Sequence, residues 1–151
     1  DRLIPDILRN FQAKTPVIIR NPKAVRPWQH VLEPLSGYLL LAQRMYKDPI
    51  KFSGAWNFGP NNFDVRPVDW ILDSISQLLP GSEWRNDSTN QPHEAKLLML
   101  DIEKAKALLG WHPKWTLEEV LPKIVAWHQA WRAGKDMHAV CVDEINQFMN
   151  Q

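Results

Sequence analysis

The stretch VIIRNPKAVRPWQHVLEPLSGYLLLAQRMYK, residues 17–47, decides the fold class of this chain. It opens with a β-branched run at 17–19, which is typical of a short strand. Residues 20–27 contain two prolines and three cations, which indicates a loop. At 31–46 the apolar residues recur at intervals of four and three, which predicts an amphipathic helix. A strand that leads through a loop into a helix is typical of an α/β protein.

The rest of the chain alternates between predicted helices and strands. Helices are predicted at 3–13, 68–79, 102–109 and 137–149, and strands at 55–58 and 96–100. Residues 81–92 are polar and are expected to be irregular. Thr116 and Glu119 have the spacing of a capping box, but Pro122 conflicts with it, so a further helix starts between 116 and 121. Three short strands between helices form a small α/β layer with exposed edges, which suggests a lobe of something larger.

The composition is typical of one globular domain with a net charge close to zero. The chain has 151 residues, of which 44% are hydrophobic, and 18 Lys and Arg against 17 Asp and Glu leave a net charge of +1. This balance gives no broad field that would attract nucleic acid. No apolar run approaches the roughly 20 residues of a membrane span, and no signal peptide is recognisable. Because Cys141 is the one cysteine, we expect a soluble, cytoplasmic chain.

Several motifs of enzyme active sites are missing from the sequence. The six glycines never take the G-x-G-x-x-G spacing of a dinucleotide-binding turn. Neither tyrosine begins a Tyr-x-x-x-Lys pair, and no serine stands in a nucleophile elbow. His138 and Cys141 are close in sequence, but no second pair completes a metal site. We therefore expect no catalytic, cofactor-binding or metal-binding residue in this chain.

One cluster of charged residues lies in the loop after the first predicted strand. Arg20, Lys23 and Arg26 are grouped there around two prolines. A stiff loop with three cations suits a diphosphate, because guanidinium groups match the geometry of phosphate oxygens. A solvated basic loop is the alternative, because patches of charge specify their ligands only weakly.

The same loop carries a resemblance to a known family. The string VIIRNPKAVRPWQHVLEP, residues 17–34, closely resembles the C-terminal part of the CDP-glucose 4,6-dehydratases, which are extended short-chain dehydrogenases/reductases. The likeness continues in DRLIPD at 1–6, WNFGP at 56–60, PHEA at 92–95, ALLGWHP at 107–113 and WHQAWRAG at 127–134. The pieces Arg-x-Trp-x-x-Val and Leu-Gly-Trp-x-Pro are common to many nucleotide-sugar dehydratases and epimerases, whereas the longer string is more specific.

The resemblance implies a two-part enzyme of which this chain looks like the second part. In the family, an N-terminal Rossmann half binds NAD and supplies the Tyr-x-x-x-Lys pair, and a smaller lobe holds the nucleotide-sugar. The reaction oxidises C4 of the glucose, removes water across C5 and C6, and returns the hydride to C6. The resemblance thus implies CDP-glucose as substrate, NAD bound by the missing half, and a complete enzyme that is a homo-oligomer.

The family's substrate-binding positions can be carried over residue by residue. Arg26 matches the arginine that holds the diphosphate, and Arg20 lies in the same loop. Arg2 falls where related dehydratases place a cation near the nucleotide. Asn57 matches an asparagine that faces the substrate, and His93 lies in the segment that reaches the phosphates, where related enzymes often have an arginine.

The resemblance also places base selectivity for cytidine in this lobe, around 1–4 and 17–19. Cytosine presents an amino donor at C4, so its pocket needs an acceptor, for which backbone carbonyls at 2–4 are candidates. Trp28 is expected to pack behind Arg26 rather than to bind a ligand. Two other readings stay open: the lobe of a related nucleotide-sugar epimerase, and a non-catalytic binding module that uses its tryptophans.

Overall fold

The computed structural model describes residues 2–87 and 95–151. The helices are α1 (Leu3–Gln12), α2 (Leu32–Lys47), α3 (Pro49–Phe52), α4 (Val68–Leu78), α5 (Leu117–Arg132) and α6 (Met137–Met149). The strands are β1 (Val17–Ile19), β2 (Val25–Arg26), β3 (Arg66–Pro67) and β4 (Trp84–Asn86). The helices predicted at 3–13, 31–46, 68–79 and 137–149 are confirmed, as is the strand at 17–19. The small α/β fold class expected from the sequence is confirmed as well.

The strands pair as two small sheets instead of one three-stranded layer. β1 runs parallel to β4, with Val17 opposite Trp84, and β2 runs antiparallel to β3, with Val25 opposite Pro67. β4 lies inside the polar stretch that was expected to be irregular. It forms because distant backbone groups meet, as where the N–H of Val17 donates to the carbonyl of Glu83 at 3.0 Å.

The strands predicted at 55–58 and 96–100 are wrong. Within the described residues, 55–58 has no ladder partner. A side-chain hydrogen bond from Gln29 Nε2 to the carbonyl of Phe58, 2.9 Å long, helps to hold this segment in place. In 96–100 only Leu97 forms a bridge, to Val25 of β2. A strand needs a neighbouring strand, and the side-chain pattern of one segment does not reveal whether that neighbour exists.

The chain before α5 is shaped by a cap and an unusual turn. Thr116 and Glu119 form the predicted capping box, and α5 continues through the exposed Pro122, which costs it one backbone hydrogen bond. The helix predicted at 102–109 is largely a π-helical turn, Ala105–Leu109, and it ends at Gly110 with a φ of +71°, as expected for a left-handed C-terminal residue.

Three apolar clusters hold the described elements together, and the smallest of them, around Trp115, packs Phe148 of α6 against α5. The main core joins α1, β1, α4 and α5 through the buried side chains of Ile7, Phe11, Val17, Ile71, Leu72, Ile75 and Leu121. A second cluster joins α2 to the segment around Phe58 and to Trp111. At Gly37 the ring of Phe58 lies so close to the helix that an added Cβ would be 2.2 Å from Cδ1, which confirms the close packing predicted for this glycine.

Candidate functional site

A cleft of about 940 Å³ opens between the start of α1, the end of β1 and the loop that follows it. Its walls are formed by Arg2, Leu3, Asp6, Ile18, Ile19, Arg20, Asn21, Ala24, Arg26, Pro27, Trp28 and Val68. Three of the predicted site residues, Arg2, Arg20 and Arg26, thus meet in one cleft although they are up to 24 positions apart in the sequence. The cleft is the candidate site for an anionic ligand.

The folding of the first elements explains why these cations converge. Arg2 is the N-terminal cap residue of α1, and Arg20 follows directly after β1, which packs against that helix in the main core. Both arginines are exposed, and neither side chain makes an ion pair or hydrogen bond within the part of the chain that the structure describes. They are available to an incoming anion.

Arg26 has a second task that the sequence did not indicate. Its Nη1 donates to the carbonyl of Val25 at 2.8 Å and to that of Ala95 at 3.0 Å. The second bond joins strand β2 to a segment nearly seventy residues later in the chain. Arg26 therefore anchors the local backbone as well as lining the cleft.

The third cation of the loop, Lys23, pairs with a carboxylate instead of lining the cleft. Its Nζ lies 2.6 Å from Oδ2 of Asp69, in the first turn of α4, and it is not among the residues that line the cleft. The hydrogen bond to Asp69 raises the pKa of Lys23, so that the lysine is charged and engaged. Arg2, from α1, supplies the third cation of the cleft in its place.

One wall of the cleft is apolar. Trp28 packs against the main core, and its Nε1 donates to the carbonyl of Arg66 at 3.2 Å, which fixes the indole. Its packing role is therefore as expected, but it also lines the cleft beside Ile18, whose side chain is 59% exposed. A fixed indole and exposed aliphatic groups suit the flat face of a base or sugar ring.

Of the remaining predicted site residues, the structure describes Asn57, which does not line this cleft. Asn57 is exposed, and its Nδ2 donates to the carbonyl of Asp101 at 3.1 Å, away from the residues that line the cleft. The hydrogen bond from Gln29 to the carbonyl of Phe58 links the segment that contains Asn57 to the loop that contains Arg26. His93 lies outside the described residues, so its role stays a prediction.

Outside the cleft, the described residues show no metal site and no membrane-spanning helix. Within the described ranges, no group of three His, Cys, Asp or Glu side chains could hold a metal ion, and Cys141 accepts a bond from Trp127 Nε1 at 3.4 Å. No helix of the described chain is long and apolar enough to cross a bilayer. Sequence reasoning gave no role to Asp6, an acidic side chain in the cleft, although its place in the first turn of a predicted helix was visible.

Comparisons with solved structures define the class of protein to which this fold corresponds. A dTDP-glucose 4,6-dehydratase from Bacillus anthracis in complex with NAD superimposes with a TM-score of 0.64 at 22% identity, over 85% of this chain and 39% of that one. A UDP-N-acetylglucosamine 4-epimerase from Bacillus cereus superimposes with a TM-score of 0.61 at 16% identity, over 83% of this chain and 42% of that one. The fold is therefore that of a part of nucleotide-sugar dehydratases and epimerases.

The sequence is also similar to curated enzymes that act on nucleotide-sugars. The chain is 52% identical over 99% of its length to the CDP-glucose 4,6-dehydratase of Salmonella typhimurium, and it spans 42% of that protein. UDP-glucuronic acid decarboxylase 1 of Arabidopsis thaliana is 26% identical over 80% of the chain, which spans 27% of it. No family model matches the sequence. The resemblance to the CDP-glucose 4,6-dehydratases that the loop suggested is thus confirmed.

Proposed function

We propose that this chain is the nucleotide-sugar-binding part of a CDP-glucose 4,6-dehydratase, a lyase that converts CDP-glucose to CDP-4-keto-6-deoxyglucose. The observation that carries the proposal is the 52% identity to the Salmonella enzyme over nearly the whole chain. The convergence of three arginines on one cleft supports it, because a diphosphate is the anionic part of the substrate. The reaction returns to the sugar the hydride that it removes, so it consumes no net reductant.

The geometry of the cleft supports the binding roles that we propose for its residues. Arg2, Arg20 and Arg26 hold the diphosphate, and the wall of Trp28 and Ile18 holds the nucleoside. Asn57 and His93 are assigned to the sugar and to the phosphates by the resemblance alone. The chain's role is to bind and orient the substrate so that C4, C5 and C6 of the glucose reach the reacting groups.

NAD does not fit the residues of this chain. Hydride transfer is the chemistry that NAD supplies when it is bound. Its diphosphate needs a glycine-rich turn, and neither the six glycines nor the two tyrosines of the sequence provide the dinucleotide or Tyr-x-x-x-Lys motif. We assign the cofactor and the proton-transfer residues to a Rossmann domain in the remaining length of the protein. We propose that the complete enzyme is a homo-oligomer in the cytoplasm.

An exposed apolar face on α2 supports the existence of this partner domain. Leu35, Tyr38, Leu39 and Tyr46 lie on that helix with 44, 56, 74 and 92% of their surfaces exposed. A helix with so much uncovered apolar area usually forms an interface. The Salmonella relative is more than twice as long as the segment that matches this chain, so it contains further structure that could cover such a face. We propose that the NAD-binding domain packs against α2.

The test is the reaction itself, carried out with the protein in its natural full length. Incubated with CDP-glucose and NAD, it is expected to form the 4-keto-6-deoxy sugar nucleotide, identified by mass and NMR spectroscopy. Parallel reactions with dTDP-glucose and UDP-glucose are expected to be much slower. Formation of a 4-epimer without loss of water would establish the epimerase alternative, and binding without any reaction would establish the non-catalytic module.

A further inference from the structure

The cleft contains one acidic side chain among its cations. Asp6, in the first turn of α1, lines the same cleft as Arg2 and Arg20. A hydrogen bond from Arg9 to Oδ1 of Asp6 lowers the pKa of this carboxyl, so that Asp6 is ionised at neutral pH. The cleft therefore contains an ionised carboxylate, paired with Arg9, beside the cations Arg2 and Arg20.

This charge is unfavourable for a site that binds only a diphosphate. A carboxylate repels phosphate oxygens, and the repulsion weakens binding unless the carboxylate meets another group of the ligand. The pairing with Arg9 does not prevent such a contact, because a carboxylate has several acceptor positions. Asp6 is thus an acceptor placed where a donor of the ligand is expected.

Among the pyrimidine bases of sugar nucleotides, cytosine supplies a hydrogen-bond donor at C4, and uracil and thymine do not. Cytosine has an amino group at C4, whereas uracil and thymine have a carbonyl oxygen there. Carboxylates accept from the C4 amino group of cytosine in known modes of base recognition and repel the oxygen that replaces it. The relative with 52% identity is named for a CDP-sugar, and those with 26% identity are named for UDP-sugars.

We propose that Asp6 is the residue that selects cytosine, by accepting a hydrogen bond from its C4 amino group. The apolar groups of Leu3, Ile18 and Trp28 line the same cleft and cover the faces of the ring. This side chain takes the role that sequence reasoning gave to backbone carbonyls at 2–4. The proposal rests on the proposed function, since it needs the cleft to be the nucleotide site.

Calorimetric binding of CDP and UDP to the full-length protein tests the assignment. The unaltered protein is expected to bind CDP at least about tenfold more tightly than UDP, as is usual for a lost hydrogen bond to a charged group. In Asp6→Asn the preference is expected to disappear, because an amide can donate to the uracil oxygen or accept from the cytosine amine. The matched control Glu118→Gln removes an exposed first-turn acid of α5 and is expected to keep the preference.

A ligand analogue makes the test independent of how the variant folds. CDP with two methyl groups on the C4 nitrogen has no amino donor, and the unaltered protein is expected to bind it as weakly as UDP. A preference that survives in Asp6→Asn, or full affinity for the methylated CDP, would overturn the assignment to Asp6 while leaving the proposed function standing. If the unaltered protein binds neither CDP nor UDP, the cleft is not the nucleotide site and both proposals fail.

Discussion

Single side chains in this lobe serve the fold and the site at the same time. Trp28 lines the cleft, yet its indole packs on the main core and donates to the backbone of β3. Arg26 lines the cleft, yet its Nη1 joins the carbonyls of Val25 and Ala95. Arg20 has no such second bond among the described residues. At the scale of the residue, binding and stability can therefore be separated by comparing Arg20 with Arg26.

Replacement of Arg26 by Ala in the full-length protein is expected to weaken binding of both CDP-glucose and CDP by roughly ten- to hundredfold, as for other charge-assisted contacts. It is also expected to lower the free energy of unfolding, because the two carbonyls lose their donor. Arg26→Lys should restore only part of the affinity, since an ammonium lacks the planar fork. Titration calorimetry and urea unfolding measure the two effects.

Arg20→Ala is the matched comparison for this prediction. It is expected to weaken binding of CDP without a measurable change in the free energy of unfolding, because its exposed side chain has no partner in the described structure. If Arg26→Ala keeps the affinity of the unaltered protein for CDP, Arg26 is an anchor of the loop and not a ligand of the diphosphate.

The elements are fixed to each other by buried carboxylates as well as by apolar packing. Glu33, in the first turn of α2, is buried, and its Oε1 accepts from the backbone N–H groups of Lys114 at 3.0 Å and Trp115 at 2.8 Å. Asp64 accepts from the N–H of Leu117 at 2.8 Å. These bonds satisfy backbone donors just before and at the start of α5. The bonds of Glu33 set the position of α5 relative to α2. The apolar periodicity of either helix alone does not predict this relative position.

Glu33→Gln is expected to destabilise the protein by about 1–3 kcal/mol near neutral pH, because the amide cannot accept all the bonds that the carboxylate accepts. Burial raises the pKa of Glu33 above its ordinary value of 4.5. The folded state therefore takes up a proton more readily than the unfolded state, and stability from this group rises as the pH falls through the raised pKa. Relative to Glu33→Gln, the unaltered protein should gain stability between neutral pH and pH 4.5.

Urea unfolding followed by tryptophan fluorescence at several pH values measures this difference. Glu103→Gln, which alters an exposed carboxylate paired with Lys106 on the surface, provides the comparison and should show no such divergence. A stability difference between the unaltered protein and Glu33→Gln that shrinks as the pH falls would show that the pKa of Glu33 is not raised.

The molecule as a whole combines a cationic cleft with an exposed apolar helix face. It spans 42% of the length of its Salmonella relative, and α2 exposes apolar side chains along its length. The segment 55–58 beside it has no ladder partner among the described residues. These features agree with the proposal that the chain works together with a second domain.

We predict that the 151-residue chain by itself neither binds NAD nor dehydrates a sugar nucleotide. On the proposed function, the hydride carrier and the tyrosine base belong to a separate NAD-binding domain, and the elimination needs both at one sugar. The measurement is an assay of the highly purified chain with CDP-glucose and added NAD, beside the full-length protein as positive control. Formation of the 4-keto-6-deoxy product by the isolated chain would contradict the proposal that NAD and the tyrosine base belong to a separate domain.

Four helices, the capping-box spacing before α5 and the cationic character of the first loop could be predicted from the sequence, whereas α3 and the π-helical turn at Ala105–Leu109 could not. The predicted features depend on spacing within a few residues: the apolar stripe of α1, the Thr116–Glu119 pair, and the left-handed Gly110. It also carried the resemblance that named the family. Local interactions decide such features, so a local reading of the sequence is sufficient.

The tertiary structure alone decided the strand pairing and the composition of the site. The backbone of β4 became a strand because β1 lay beside it, and 55–58 did not because no strand of the described residues pairs with it. Lys23 lies outside the cleft because it pairs with Asp69, and Asp6 lies in the cleft because α1 begins there. Contacts between residues far apart in sequence depend on where packing brings whole elements, and no single segment contains that information.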